Sequence, residues 1–328
     1  MVDFNLTSVE DDEKWDQFVD LSPQGTIFSY SDYLAKAGCK FLRQYICRGT
    51  EKVAGLVLAL SDDGSSCILN DHIIYNGVLL LYPHKNQNHV QKLSDEFAIL
   101  SYVSEELPKR FSRVEIALAP QIKDLRPFLW HNYKGEEAQK WKLDLRYTSY
   151  INLNGINSIS EAEIENNLLF KNLGKSRRQE IRYARKNGVF AKTSKDFGPF
   201  LELYKKTMNS QEIKYSSEDI TNKRNLLEHL QQIGRVKQFI IENLKGETIS
   251  SAIFCFDKKR AYYLFGGNHP DAKSSYSGTI VLWDAFKDLN KSGIEEVDLE
   301  GVNSPNRGWF KINMGGNLLP YYQVYFGN

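Results

Sequence analysis

From Leu169 to Val189 the chain reads LFKNLGKSRRQEIRYARKNGV, a densely basic run. At helical spacing Arg178, Arg182 and Arg185 share one face, Ile181 and Ala184 can turn toward a core, and Asn187-Gly188 supplies a C-terminal stop. A positive stripe of this kind can hold the phosphates of an RNA acceptor stem, a nucleotide-linked substrate or a cofactor pyrophosphate. It reads equally as a solvated helix face, the commoner fate of charge on helices and the reading that composition alone favours.

A second run lies near the end of the sequence: Val297-Asp298-Leu299-Glu300-Gly301-Val302-Asn303, then Gly308-Trp309-Phe310-Lys311, then Gly315-Gly316 and Tyr321-Tyr322. A strand ending at Gly301 would put its loop at the carboxyl end of an α/β sheet, a favoured place for ligands. Lys311, beside Trp309 and Phe310, would be a partly desolvated cation able to stabilise negative charge on an acyl carbonyl or a leaving oxygen. An aromatic core pair with a surface lysine is the plainer reading of that dipeptide alone. The clustering of glycines, Asn303 and aromatic residues narrows this preference without reversing it.

Other chemistries lack their signatures. The six histidines, at 72, 84, 89, 131, 229 and 269, lie far apart without HxH or HExxH spacing, so no metal site is expected. Neither a P-loop nor a GxGxxG fingerprint occurs, and there is no GxSxG elbow. Cys39, Cys47, Cys67 and Cys255 show no CxxC spacing and read as reduced packing residues.

The elements that must position these runs follow from periodicity. Trp15 to Gly38 reads as helical, then Phe41 to Cys47, Val53 to Leu60 and Cys67 to Asn70 read as strands of a meander. A long helix is expected over roughly Lys85 to Leu107, followed by a strand at Val114 to Leu118, a helical turn at Asp124 to Trp130 and a β-branched segment at Thr148 to Leu153. Ser158 to Asn187, Phe197 to Met208 and Ser216 to Ile233 read as helices. Val236 to Glu242, Thr248 to Phe256 and Ala261 to Gly266 read as strands, followed by a helix at Thr279 to Lys291 and a strand at Glu296 to Glu300. The second half thus repeats the element order of the first, and both fit an α/β fold of mixed sheets.

The bulk numbers agree with two domains, since 328 residues with 41% hydrophobic content can bury two ordinary cores. Lys plus Arg total 42 against 41 for Asp plus Glu, a net charge of +1, so any polyanion site must be local. Aromatic residues make up 12%, which suits sheet faces or a pocket that stacks and hydrogen-bonds a polar ligand. The N-terminus lacks a signal-peptide pattern, and apolar runs such as Gly77 to Leu81 are too short to cross a bilayer. A cytoplasmic, reducing location is expected.

Taken together, the basic helix with its Lys-Asn-Gly-Val stop and the strand, turn and FK-x-x-M-GG ending resemble the second domain of FemABX aminoacyltransferases and related double-GNAT proteins. Phe200 to Met208, Ser251 to Phe256 and Tyr262 to Gly267 resemble the family's intervening helix and strand pair. The likeness covers Leu168 to Tyr322 in sequence and the first half by element order. It implies two tandem GNAT-like domains, residues 1–154 completed by a strand at 318–328, and residues 155–317. It implies transfer of an aminoacyl group from tRNA to an amine of a peptidoglycan precursor, without metal or a permanently bound cofactor. By that likeness Lys311 would steady charge on the transferred ester, Phe310 would shape its pocket, and Tyr262 or Tyr263 would bind acceptor or donor. Glu300, at its strand end, is the candidate proton acceptor, with a structural salt bridge as the alternative. Asn303 and Tyr75 join the substrate-binding candidates, Tyr75 because Tyr75-Asn76-Gly77-Val78 stands where the family has an acceptor-pocket loop.

The sequence also departs from related patterns. GNAT enzymes using acyl-CoA have a Gly-rich pyrophosphate loop where this chain has Asn268 to Gly278, with Gly278 its single glycine after Asn268. Ser277, Gly278 and nearby backbone amides could still bind phosphate at the start of the following helix. The long helical insertion of some relatives is absent. Three readings therefore stand. The first is an aminoacyl transferase acting on an amino group of a cell-envelope precursor, amino sugar or peptide. The second is an acyl-CoA-dependent N-acyltransferase. The third is a silent module that binds a nucleotide-sugar or an RNA end.

Overall fold

The computed structural model describes residues 3–82, 86–157, 161–209, 216–269 and 276–327. The fold is mixed α/β, and the chain divides into two compact units, Met1–Arg146 with Pro320–Asn328, and Tyr147–Leu319.

In the first unit, β1 (Phe4–Ser8), α1 (Asp12–Leu21) and α2 (Ser31–Leu34) precede a hairpin of β2 (Lys40–Arg48) and β3 (Glu51–Leu60). The hairpin turns at Gly49, whose φ of +62° suits a residue without a Cβ. β4 (Ser66–Cys67), β5 (Gly77–Leu80), α3 (His89–Arg110), β6 (Arg113–Leu118) and α4 (Arg126–Trp130) follow. α3 starts at a capping box of Asn88 and Gln91 and buries Ile99, Leu100, Val103 and Leu107 in a core with Val114, Ile116 and Leu118. Helical spacing anticipated this face, although Lys85 lies outside the described residues. The last strand, β13 (Asn317–Phe326), pairs antiparallel with β6 from Tyr322↔Leu118 to Phe326↔Val114, so the end of the chain completes this unit.

β7 (Lys142–Asn152) carries the chain into the second unit. There follow α5 (Leu168–Asn172), α6 (Lys175–Lys186), β8 (Lys192–Ser194), α7 (Gly198–Asn209), α8 (Ser217–Gln232), β9 (Val236–Glu242), β10 (Thr248–Phe256) and β11 (Ala261–Asn268). α9 (Ser277–Lys291), β12 (Glu296–Gly301) and α10 (Pro305–Ile312) close the unit. The strands run in the order β7-β12-β11-β10-β9-β8, and only β11 and β12 among the described pairings here are parallel. The parallel step needs a crossover, which α9 provides. Its Ile280, Val281, Trp283, Phe286 and Leu289 are buried with Phe170, Ile181, Phe254 and Leu299.

One expectation changes here. The helical stretch placed over Ser158 to Asn187 is interrupted between α5 and α6, because Gly174 donates its N–H to the Asn313 carbonyl at 2.9 Å. A Cβ at Gly174 would meet Asn313 Oδ1 at 2.1 Å, which makes glycine the residue for this close approach. Residues 158–160 lie outside the described residues. The GWFK segment, to which periodicity assigned no element, is helical and is started by Pro305 at the first turn. The two compact units meet at Arg146 and Tyr147, inside β7, whose later residues pair with β12 up to Asn152↔Glu296.

Candidate functional site

In the second unit β11 and β12 run side by side for only two register pairs, Ala261↔Val297 and Tyr262↔Asp298, and then part. Their diverging ends leave backbone groups without a neighbouring strand, which makes a place for a ligand. On its other edge β12 pairs with β7, with a register shift between Asp298 and Gly301. The residue absorbing that bulge is Glu300, whose φ is +57°. A side chain in this left-handed region costs about 1–3 kcal/mol, so the surroundings must hold it there.

They do so from two sides. Glu300 donates its N–H to Asp298 Oδ1 at 2.7 Å, and the same oxygen accepts from the buried Thr148 hydroxyl. Lys311 Nζ, reaching back from α10, donates to the carbonyls of Leu299 at 2.6 Å and Gly301 at 3.2 Å. It therefore grips the carbonyls on either side of Glu300. The Glu300 side chain is buried, and among the described residues its Oε1 has no hydrogen-bond partner. Burial pushes the Glu300 carboxyl well above the usual carboxylate range, against the opposing charge of Lys311 and with help from Asp298. Burial lowers Lys311 from the usual lysine range, opposed by Glu300 and Asp298. The Tyr263 ring lies 5.4 Å from Lys311 Nζ, and its hydroxyl is raised by burial and then by Glu300. Glu300, Lys311 and Tyr263 are thus one electrostatic cluster at the point where the strands part.

Phe310, next to Lys311, carries the cluster toward α9. The Arg177 guanidinium stacks 4.9 Å over the Phe310 ring. Arg177 Nη1 also donates to Glu180 Oε2 at 2.7 Å and to Thr279 Oγ1 at 2.8 Å, and Thr279 in turn donates to Glu180. Thr279 stands in the first turn of α9, where unpaired N–H groups and the helix dipole favour negative charge. Here a carboxylate of the chain itself sits on that hydroxyl.

Sequence reasoning missed Arg177, yet the signal was present. Arg177 is four residues before Ile181 and seven before Ala184, the two core residues of α6, so it shares their face. The stripe that looked open is mostly engaged. Arg182 pairs with Glu165 at 2.7 Å and lies over the Phe170 ring, while Arg185 holds Asp284 of α9 and the Val189 carbonyl. Arg178 has no ion pair among the described residues.

The remaining candidates divide. Tyr262 is fully buried and donates to Asp257 Oδ2 at 2.7 Å, in a network with Arg260, Tyr150 and Glu296, so strand alternation turns it away from Tyr263. Asn303 exchanges hydrogen bonds with the Tyr147 backbone, accepting at 2.7 Å and donating at 3.0 Å, which extends the strand pairing past Gly301. Tyr75 belongs to the first unit, buried edge-on to Phe28 and Tyr321. Ser277 is buried at the start of α9, and a Cβ on Gly278 would meet Asn268 Oδ1 at 3.1 Å. Residues 270–275 of the preceding loop lie outside the described residues. No group of His, Cys, Asp and Glu suited to a metal occurs among the described residues. No helix among them is long and apolar enough to cross a membrane.

Residues 171–309 match the family model of the acetyltransferase (GNAT) domain. No curated protein matches the chain by sequence. Among solved structures, FemX is similar at 15% identity and a TM-score of 0.65, with 97% of this chain and 96% of that one covered. A tandem GNAT protein from the clavulanic acid biosynthesis pathway is similar at 11% identity and a TM-score of 0.55, covering 98% and 97%. The C-terminal domain of a putative lysylphosphatidylglycerol synthetase from Agrobacterium fabrum is similar at 11% identity and a TM-score of 0.56, covering 97% and 92%. The chain has a FemABX-like double-GNAT fold, and its second unit carries a GNAT acyltransferase domain.

Proposed function

We propose that this double-GNAT acyltransferase forms an amide bond by moving an aminoacyl group from an ester donor onto an amine. The observation that carries the reading is the buried Glu300 Oε1, without a hydrogen-bond partner among the described residues, at the parting of β11 and β12, beside Tyr263 and Lys311. Amide formation needs a neutral amine, an acceptor for its proton, and orientation. As the amine attacks the acyl carbonyl, its proton passes to the Glu300 carboxylate, the C–N bond forms, and the carbon–oxygen bond to the donor breaks. The carboxyl then returns the proton to the departing alkoxide. Tyr263 forms the wall of the acyl pocket, with Phe310 and Arg177 beside α9.

We take the donor to be an aminoacyl-tRNA and the acceptor an amino group of a cell-wall precursor, an amino sugar or a peptide, in the cytoplasm. Support for the ester over a CoA thioester comes from Glu180. Its carboxylate, held by Arg177 and Thr279 in the first turn of α9, puts negative charge where a diphosphate would seek positive potential. Arg178, which has no ion pair among the described residues, and Lys175 and Lys186 of α6 offer contacts for a polyanion. The purified chain incubated with charged tRNAs, or with acyl-CoA thioesters, and a panel of amine acceptors tests the reading by mass spectrometry of the products. An RNase-sensitive yield of acylated amine is expected, greatly reduced in Glu300→Gln. No amide product with any donor from folded protein would overturn it.

A further inference from the structure

We propose that Lys311 is a positioning residue that acts through Glu300, clamping this glutamate in its left-handed conformation so that one carboxyl oxygen stays free for the acceptor's proton. The inference rests on the acyl transfer proposed above and assigns Lys311 a different task from steadying charge on the transferred group.

The geometry supports the clamp from three directions. First, Glu300 has a φ of +57° at the bulge between β12 and β7, a conformation an L-residue keeps only when its neighbours enforce it. Secondly, the ladder to β11 ends at Tyr262↔Asp298, so the backbone after Asp298 lacks that strand's support. Lys311 Nζ takes the place of the missing strand, donating to Leu299 O at 2.6 Å and Gly301 O at 3.2 Å. These two bonds use two of the three donors of an ammonium group. Thirdly, Glu300 Oε1 is buried and unpartnered among the described residues, although an ammonium group stands close by. The lysine is spent on the flanking carbonyls instead of on the carboxylate. Asp298, which accepts the Glu300 N–H and the Thr148 hydroxyl, anchors the same bend from the other side. A β conformation at residue 300 would carry the side chain to the opposite face of the strand, since successive residues alternate.

A double-mutant comparison separates clamp from charge. Glycine adopts positive φ without penalty, so Glu300→Gly removes both the carboxylate and the need for a clamp. Lys311→Met should lower kcat roughly a hundredfold, the scale of losing a placed general base, with KM for donor and acceptor within about threefold. In the Glu300→Gly background the same change should lower kcat no further than about twofold. Amide hydrogen exchange gives a readout that needs no turnover. Lys311→Met should speed exchange at the Glu300 amide about tenfold or more in the otherwise unchanged chain, and leave residue 300 unaffected in Glu300→Gly. A further roughly hundredfold loss in the Glu300→Gly background, as expected for an independent charge-stabilising group, overturns the proposal. Unchanged exchange at Glu300 in folded Lys311→Met overturns it as well, and exchange alone decides if Glu300→Gly has no measurable turnover. The expected exchange pattern without amide formation by any donor would instead leave the clamp standing and remove the acyl-transfer reading.

Discussion

Arg185 offers a direct test of which arginines on the basic helix hold structure and which face a ligand. Its guanidinium grips Asp284 across from α6 to α9, with both side chains about 14% exposed, and also donates to the Val189 carbonyl at 3.0 Å. Asp284 accepts one further bond, from the Ala191 N–H at 2.8 Å. Arg185→Ala would strand a largely buried carboxylate on that single backbone donor. Breaking such a pair costs about 3–5 kcal/mol, and the residual water access argues for the lower end, about 3 kcal/mol. With a urea dependence of about 2 kcal/mol/M, the transition of the second unit should fall by roughly 1.5 M. On heating, about 3 kcal/mol corresponds to a fall of roughly 6–12 °C for a unit of this size. Arg185→Met with Asp284→Asn should recover much of the loss, because no buried charge is then left unpaired. Urea and thermal melts of the purified chain read both effects. An Arg185→Ala protein that melts unchanged but loses affinity for tRNA or heparin would refute the structural assignment and return Arg185 to a phosphate-facing role.

Other consequences can be measured beside it. Glu180→Gln removes the chain's own negative charge from the first turn of α9, so CoA should bind more tightly by about 1–2 kcal/mol, roughly fivefold to thirtyfold; titration calorimetry showing an unchanged affinity would sink that account. Because burial raises the Glu300 carboxyl, turnover should climb with pH through a value above the usual carboxylate range, and that limb should vanish in Glu300→Gln. The stability effect has the opposite sign: with the folded value above the unfolded one, the Glu300 contribution is complete below the unfolded value and fades as pH rises through the folded one. Melts against pH should show this slope flattened in Glu300→Gln. Gly308→Ala should destabilise the chain by about 1–3 kcal/mol, since its Cβ would stand 2.1 Å from the Val302 carbonyl oxygen and α10 must move; an unchanged melting temperature would contradict the packing.

Much of the second unit was legible because its elements obey one period at a time. The alternating and apolar runs at Val236–Glu242, Thr248–Phe256 and Glu296–Glu300 read as strands, and the apolar residues of α9 recur at helical spacing. β1 escaped because a short polar strand, FNLTS, carries little hydrophobic signal and is fixed by pairing with β2. On α6 the arginines drew attention by charge, whereas phase relative to Ile181 and Ala184 is what places Arg177 against Phe310. Alternation required Tyr262 and Tyr263 to face opposite ways, but only the tertiary network of Asp257 and Arg260 decides which is sequestered. The left-handed turn at Glu300 has no local signal at all. A glycine there would have announced it, but a glutamate held by Asp298 and Lys311 announces nothing.

The two glutamates of the site show why composition alone could not assign roles. Glu180 accepts from Arg177 and from Thr279, so its charge is matched locally and fixed in place. Glu300 has a buried oxygen without a partner among the described residues, and the neighbouring Lys311 is occupied by backbone carbonyls. A carboxylate held by two donors serves as a fixed electrostatic element, whereas one that burial pushes toward neutrality is suited to taking up a proton during the reaction. Exchanging the two environments should exchange the roles. Removing Arg177 would free Glu180 to repel an incoming anion more strongly, and should weaken donor binding while leaving the pH dependence of turnover to Glu300. A shift of that pH profile in Arg177→Met would mean that the two carboxylates are coupled and that the division of labour is wrong.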